Sequence, residues 1–136
     1  MQHFEQLKKD GRLKWAVADR HIYKLDNISV VSLSPCDNDI VESDTNFANL
    51  LKVRNNTTTT IKSAALINPN NYSVVLRIFD ANSNHEMLLG ADLEVRTNGG
   101  WDSVCDCALS PKPNKINVFK IPHHGSVKGY HEKTWA

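Results

Sequence analysis

The chain has 136 residues, enough for one domain with a core and too few for two of ordinary size. Hydrophobic residues make up 40% and charged ones 23%, which excludes a disordered chain and reads as a soluble globular one. Sixteen basic residues against fifteen acidic ones leave no global field to recruit nucleic acid or a membrane surface, so attraction for an anionic substrate must come from a local site.

In chain order, the spacing of Phe4 and Leu7 predicts a helix over Gln2 to Lys9, stopped by Asp10-Gly11. Lys14 to Val17 is a short strand candidate. Ile22 to Leu25 and Ile28 to Leu33 read as strands. The second is β-branched and nearly all apolar, as in a strand buried on both faces, and Pro35 closes it. Ser43-Asp44-Thr45 offers an N-cap for a helix carrying Phe47, Leu50, Leu51 and Val53. Asn55 to Asn71 is polar and Asn/Thr-rich, the composition of an exposed loop, with Ala64 to Ile67 as a candidate edge strand.

Tyr72 to Phe79 and Glu86 to Gly90 flank the turn-forming cluster Asp80 to Asn84 and predict a hairpin. Thr97 to Leu109 reads as a helix begun at Gly99-Gly100 and closed before Pro111. Ile116 to Ile121 is the last clear strand, and Val127 to Ala136 starts toward another helix. Hairpins interspersed with helices predict a sheet with helices on one face, in the α+β or α/β class, as a single domain over residues 1–136.

The three cysteines, Cys36, Cys105 and Cys107, include no Cys-x-x-Cys, so neither a disulfide framework nor a zinc finger is supported. There is no apolar leader at the amino terminus and no apolar run of transmembrane length. The expected setting is therefore reduced and cytoplasmic, with the Asn-x-Ser/Thr matches at Asn27, Asn55, Asn56 and Asn71 due to chance.

Two segments carry chemistry. Leu88-Leu89-Gly90-Ala91-Asp92-Leu93-Glu94 and Lys120-Ile121-Pro122-His123-His124-Gly125-Ser126 are apolar runs that stop at metal-liganding side chains. Asp92 alone would be read as a turn aspartate. Adjacent His123 and His124 at a strand end cannot both face a core, so the pair reads as functional: hard oxygen and borderline nitrogen donors on a rigid frame suit a catalytic metal. Lys120, Ser126 and Lys128 are candidates for orienting a phosphate.

Together with Asn70-Asn71-Tyr72-Ser73 ahead of an apolar strand, and with Ile28 to Pro35 upstream, these segments resemble the metallo-β-lactamase-fold hydrolases attached to competence-type DNA-uptake channel proteins. The resemblance covers roughly residues 22–132, and His-His-Gly-Ser is its most specific element. It implies the middle to C-terminal half of an αββα sandwich and a dinuclear hydrolase acting on phosphodiesters such as nucleic acid. Asp92 falls on the bridging aspartate. One of His123 and His124 falls on the last histidine ligand, with His124 favoured and the other near substrate, where His123 and Asp92 would be catalytic. Asn71 and Ser73, with Lys120 and Ser126, are the implied substrate-binding residues. The cofactor implied is Zn2+, two ions in a complete domain, with Mn2+ as the alternative.

The sequence departs from the family at two places. Thr-Gly-Asp is replaced by Gly90-Ala91-Asp92, and the His-x-His-x-Asp-His segment that supplies most ligands is absent. The remaining histidines, His3, His21, His85 and His131, lack its spacing, and Asp19-Arg20-His21 reads as a polar turn. The expectation is therefore a fragment of a longer hydrolase, with Met1 internal to it. It would bind metal weakly or not at all, be inert alone, and need the missing part of the domain or a partner chain. The alternatives are a degenerate, non-catalytic module or truncated product acting in binding or regulation, and, less favoured, a lactamase or thioesterase of the same fold.

Overall fold

The computed structural model describes residues 2–54, 68–112 and 115–135. Helix α1 (Gln2–Lys9) precedes strands β1 (Arg20–Leu25) and β2 (Ile28–Ser32), then helix α2 (Asp37–Arg54). A 3-10 turn at Pro69–Tyr72 leads into β3 (Leu76–Asp80) and β4 (Glu86–Leu89). A two-residue β5 (Val95–Arg96), helix α3 (Gly100–Asp106), β6 (Val118–Lys120), 3-10 turns Pro122–Gly125 and Val127–Gly129, and α4 (Glu132–Trp135) complete the order.

Five strands form one mixed sheet in the order β1-β2-β3-β4-β6. The first four are an antiparallel meander, while β6 returns parallel to β4, in register Met87↔Val118 to Leu89↔Lys120. Parallel neighbours cannot be joined by a hairpin; the chain between them crosses over through α3. The architecture is α+β.

Both hairpins are written locally. Asp26 takes φ 50 in the two-residue turn that pairs Leu25 with Ile28, a conformation Asp tolerates. In the second, Asp80 accepts hydrogen bonds from Asn82 N at 2.9 Å and Ser83 Oγ at 2.8 Å. These bonds hold the Asp80 carboxyl below its ordinary pKa.

Register places Val31, Arg77, Leu88 and Phe119 in one row across the sheet. That row faces the core, where Val31, Leu33, Val75, Leu88, Leu93, Trp101 and Val104 are buried. Trp101, the largest of them, donates Nε1–H to Leu93 O at 2.9 Å and meets Phe119 edge to face, centroids 6.1 Å apart. Arg77 lies in the same row and is satisfied there. It makes a fork to Glu86 (2.9 and 2.8 Å), a bond to Leu109 O (2.8 Å) and a contact 4.4 Å above the Phe79 ring.

Several expectations are corrected. Lys14 to Val17 forms no strand; it is tied by Ser32 Oγ to Val17 O and by Ala18 N to Pro35 O instead of a ladder. The β2 segment is buried on both faces only over its second half, where Val31, Ser32 and Leu33 are fully buried; Ile28 is 47% exposed and Val30 only half-buried. Helix α2 starts at Asp37 rather than at Ser43-Asp44-Thr45, because Asp39 reaches back to the Cys36 N–H at 3.1 Å and caps the first turn. Phe47 on that helix is exposed. The strand expected from Tyr72 begins at Leu76, after the 3-10 turn.

Helix α3 is shorter than Thr97 to Leu109 at both ends. At its start Gly99 and Gly100 fold back onto Arg96 and Val95, and at its end the amides of Ala108 and Leu109 turn away to the Asp19 carboxylate, at 3.0 and 2.7 Å. Asp19 is therefore the turn residue expected, whereas Arg20 and His21 belong to β1. The last strand is limited to Val118–Lys120, and the final expected helix divides into the Val127–Gly129 turn and α4. The Asn55 to Ile67 part of the expected loop, with its Ala64 to Ile67 edge strand, lies outside the described residues. No helix among those described is long and apolar enough to cross a membrane.

Candidate functional site

The parallel pair β4 and β6 ends at one edge of the sheet, and both chemistry-bearing segments leave from there. Binding sites in sheets with parallel strands gather at the carboxyl ends of those strands, where loops diverge. Two backbone hydrogen bonds, Gly90 N to Lys120 O (3.2 Å) and His123 N to Ala91 O (3.0 Å), and one side-chain bond, Lys120 Nζ to Ala91 O (3.4 Å), hold the two segments together.

Gly90 is required by that closeness. A Cβ there would lie 2.9 Å from Lys120 O and from Pro122 Cβ, and 3.1 Å from Trp101 Cζ2. The backbone beyond it is strained. Ala91 (φ 48), His123 (φ 47) and His124 (φ 53) all sit in the left-handed region, at a cost of about 1–2 kcal/mol each for residues with a Cβ. Strain concentrated at three positions of one sheet edge is typical of sites where geometry matters more than stability.

The double left-handed step turns the two imidazoles in opposite senses. His124 points outward, its side chain 84% exposed, with Nε2 3.5 Å from Asp92 Oδ1. The His123 side chain turns inward and is 22% exposed. Its Nδ1 lies 3.2 Å from Glu94 Oε1, in ion-pair range but without hydrogen-bond alignment, and its Nε2 lies 3.4 Å from Asn70 Nδ2. Asn70 also donates to Glu94 Oε1 at 3.3 Å. Because an amide nitrogen can only donate, Nε2 is the acceptor of that contact, and neutral His123 carries its proton on Nδ1, facing Glu94.

Glu94 is nearly buried. Burial pushes its carboxyl pKa up, but hydrogen bonds from Asn68 and Asn70 and the nearby charges of Lys128 and His123 outweigh that, and the net shift is downward. The result is a fixed anion behind His123.

The remaining expected residues take these places. Lys120 is exposed, its ammonium on Ala91 O. Ser126 Oγ accepts the Lys128 amide at 3.3 Å and so caps the Val127–Gly129 turn. Ser73 offers its carbonyl to Ser34 Oγ at 2.6 Å, which stitches β2 to the start of β3. Asn71 lies in the 3-10 turn, its amide on Asn68 O, while its neighbour Asn70 is the one that reaches Glu94 and His123.

Sequence reasoning assigned no role to Asn68, Asn70 or Glu94. The available signal was local: Asn68-Pro69-Asn70 has turn chemistry, and the Asn68 side chain accepts the Asn70 amide at 3.1 Å, aiming Asn70 into the site.

As a metal centre, Asp92 and His124 supply a carboxylate oxygen and an imidazole nitrogen close enough to share an ion, and both are open to solvent. The donor chemistry fits a divalent cation, but the number is short. Zinc sites use three or four protein ligands, and no group of three His, Cys, Asp or Glu is assembled for a metal among the described residues. A scan against protein-family models found no match, and searches of curated proteins and of solved structures found none.

Proposed function

We propose that this chain carries part of a metal-dependent phosphodiester-hydrolysing site, built where β4 and β6 end side by side. The observation that supports it most is the approach of Asp92 to His124, from two segments joined by a parallel crossover. Asp92 and His124 would hold the ion, with further donors contributed from outside the described residues. A bound divalent cation supplies positive charge for a phosphoryl oxygen and lowers the pKa of a coordinated water.

The chain's own residues do the rest. His123, fixed between Asn70 and Glu94, presents a ring of set orientation beside the donor pair. Its Nδ1 faces the Glu94 carboxylate at 3.2 Å, and its Nε2 faces the Asn70 amide at 3.4 Å, which together set the orientation of the ring. That makes His123 an acid–base or substrate-orienting group and leaves ligation to His124. Lys120 and Lys128 place positive charge at the same rim, suited to a phosphodiester anion.

The test is calorimetric titration of the full chain with Zn2+ and with Mn2+, for wild type, Asp92→Ala, His124→Ala and, as control, Lys24→Ala, exposed on β1 at the opposite edge of the sheet. Weak binding lost in the first two variants and kept in the control is the expected result. A short single-stranded oligonucleotide should then bind more tightly with Zn2+ present, in wild type and control only. Unchanged metal binding in both Asp92→Ala and His124→Ala would sink the proposal and favour a binding module that kept this edge without its chemistry.

A further inference from the structure

A second group of reactive side chains is built on α3 and the segment ahead of α4, and it shares no residue with the Asp92–His124 pair. On α3, Asp102 and Cys105 are spaced by three residues and share one helix face. The segment ahead of α4 lays His131 across that face. Its Nε2 is 3.0 Å from Asp102 Oδ1 and its Nδ1 is 3.4 Å from Cys105 Sγ. The Thr134 hydroxyl completes the group, 3.4 Å from the same Nδ1 and 3.7 Å from the sulfur. His131 is mostly buried, its side chain 11% exposed, whereas Cys105 keeps part of its surface open.

A nucleophile within reach of a base, with the base oriented by a third group, is the arrangement that activates cysteine. A carboxylate on Nε2 fixes the tautomer with its proton there, which leaves Nδ1 free to take the thiol proton. We propose that Cys105 is a nucleophilic thiol, with His131 as its base and Asp102 as the positioning residue, and that it adds uncharged, soft carbon electrophiles of the α,β-unsaturated carbonyl class.

The step balances without a co-reactant. The sulfur forms a bond to the β-carbon while the carbon–carbon π bond opens to an enolate. The thiol proton passes to His131 Nδ1, and His131 returns it to the α-carbon. No group leaves and nothing is oxidised. The surrounding charges select the ligand: Asp102 and Asp106 outnumber Lys133, which disfavours anionic electrophiles.

The other two thiols are differently placed. Cys107 donates to the Leu33 carbonyl at 3.2 Å, and Cys36 receives Ser103 Oγ at 3.3 Å. Burial pushes Cys107 up to about 11, and desolvation also raises Cys105. At neutral pH the resting Cys105 is therefore a thiol, and the base acts during attack rather than before it. The inference does not depend on the proposed metal site.

The probe is N-ethylmaleimide, reacted with the full chain and mapped by peptide mass spectrometry, so that Cys36 and Cys107 serve as internal references. At neutral pH Cys105 should label first. In His131→Gln its rate should fall about 100-fold, with smaller losses in Asp102→Asn, while the two reference rates hold. In alkaline buffer, where the thiolate forms without help, the deficit of His131→Gln should close. A purely packing role for His131 would leave the deficit equal at every pH, and that result, or an unchanged rate in His131→Gln, overturns the proposal. If His131→Gln unfolds, seen as faster labelling of Cys107, the wild-type comparison decides alone: Cys105 labelling no faster than Cys36 and Cys107 refutes it.

Discussion

His123 and Glu94 meet across the β4–β6 crossover with 3.2 Å between Nδ1 and Oε1, and Asn70 touches both. The contact assigns His123 a single neutral tautomer. Long-range proton–nitrogen NMR should show His123 protonated at Nδ1 with Nε2 as acceptor, and His124 without a fixed preference. Glu94→Gln, nearly isosteric, should leave the fold intact and collapse that difference. An Nε2-protonated His123 in the wild type would contradict it.

Gly90 and Gly125 make a paired test of close approach. Gly90→Ala drives a methyl into Lys120 O, Pro122 and Trp101 and should cost about 1–3 kcal/mol in urea unfolding. Gly125 has open space around its Cβ position and only the strain of φ 81. Gly125→Ala should cost about 1 kcal/mol. Equal losses at the two positions would show that packing around Gly90 is looser than its contacts indicate.

The Arg77–Glu86 pair should behave as a unit. Removing one partner leaves an uncompensated charge at a site where the side chains are 14% and 9% exposed, so Arg77→Ala or Glu86→Ala should each cost about 3–5 kcal/mol. The double replacement Arg77→Met with Glu86→Leu should recover most of the loss. Additive losses in denaturant melts would argue against coupling.

Asp80 sets an acid-side signature. Its carboxyl is held below the ordinary 3.8 by the Asn82 amide and the Ser83 hydroxyl. A carboxyl with a lowered folded-state pKa stabilises the fold above its unfolded value, and that contribution disappears as pH falls through the folded one. Wild type should therefore lose stability faster than Asp80→Asn below pH 3.8, by thermal melts across an acid series. Parallel curves would remove Asp80 from the account.

What the sequence revealed was what neighbours in the chain decide. The Asp80 to Asn84 hairpin and the Gln2–Lys9 helix depend on turn residues and stops a few positions away, and both are found where expected. The extent of α3 was not legible, because the groups that end it belong to Asp19, at the other end of the chain. The start of α2 was obscured by a plausible cap at Ser43-Asp44-Thr45, while the operative one is a buried aspartate answering the Cys36 amide. At the site, the nearness of Asp92 to the His123-His124 segment could be read from their strand-end positions, and the resemblance favoured His124. That His123 turns inward to Glu94 instead could not be read, since it depends on two left-handed residues and on Asn70 and Glu94 arriving from elsewhere.

The parallel return of β6 also sets what must be in place before this edge exists. The β1–β2 and β3–β4 hairpins close locally, whereas β2–β3 and β4–β6 each join strands far apart in sequence. A partly folded form holding only the hairpins has Asp92 without His124 and Glu94 without His123. The chemistry of this edge therefore waits on a non-local pairing, and the amide of His123, bonded to Ala91 O, would report its arrival in pulsed hydrogen exchange.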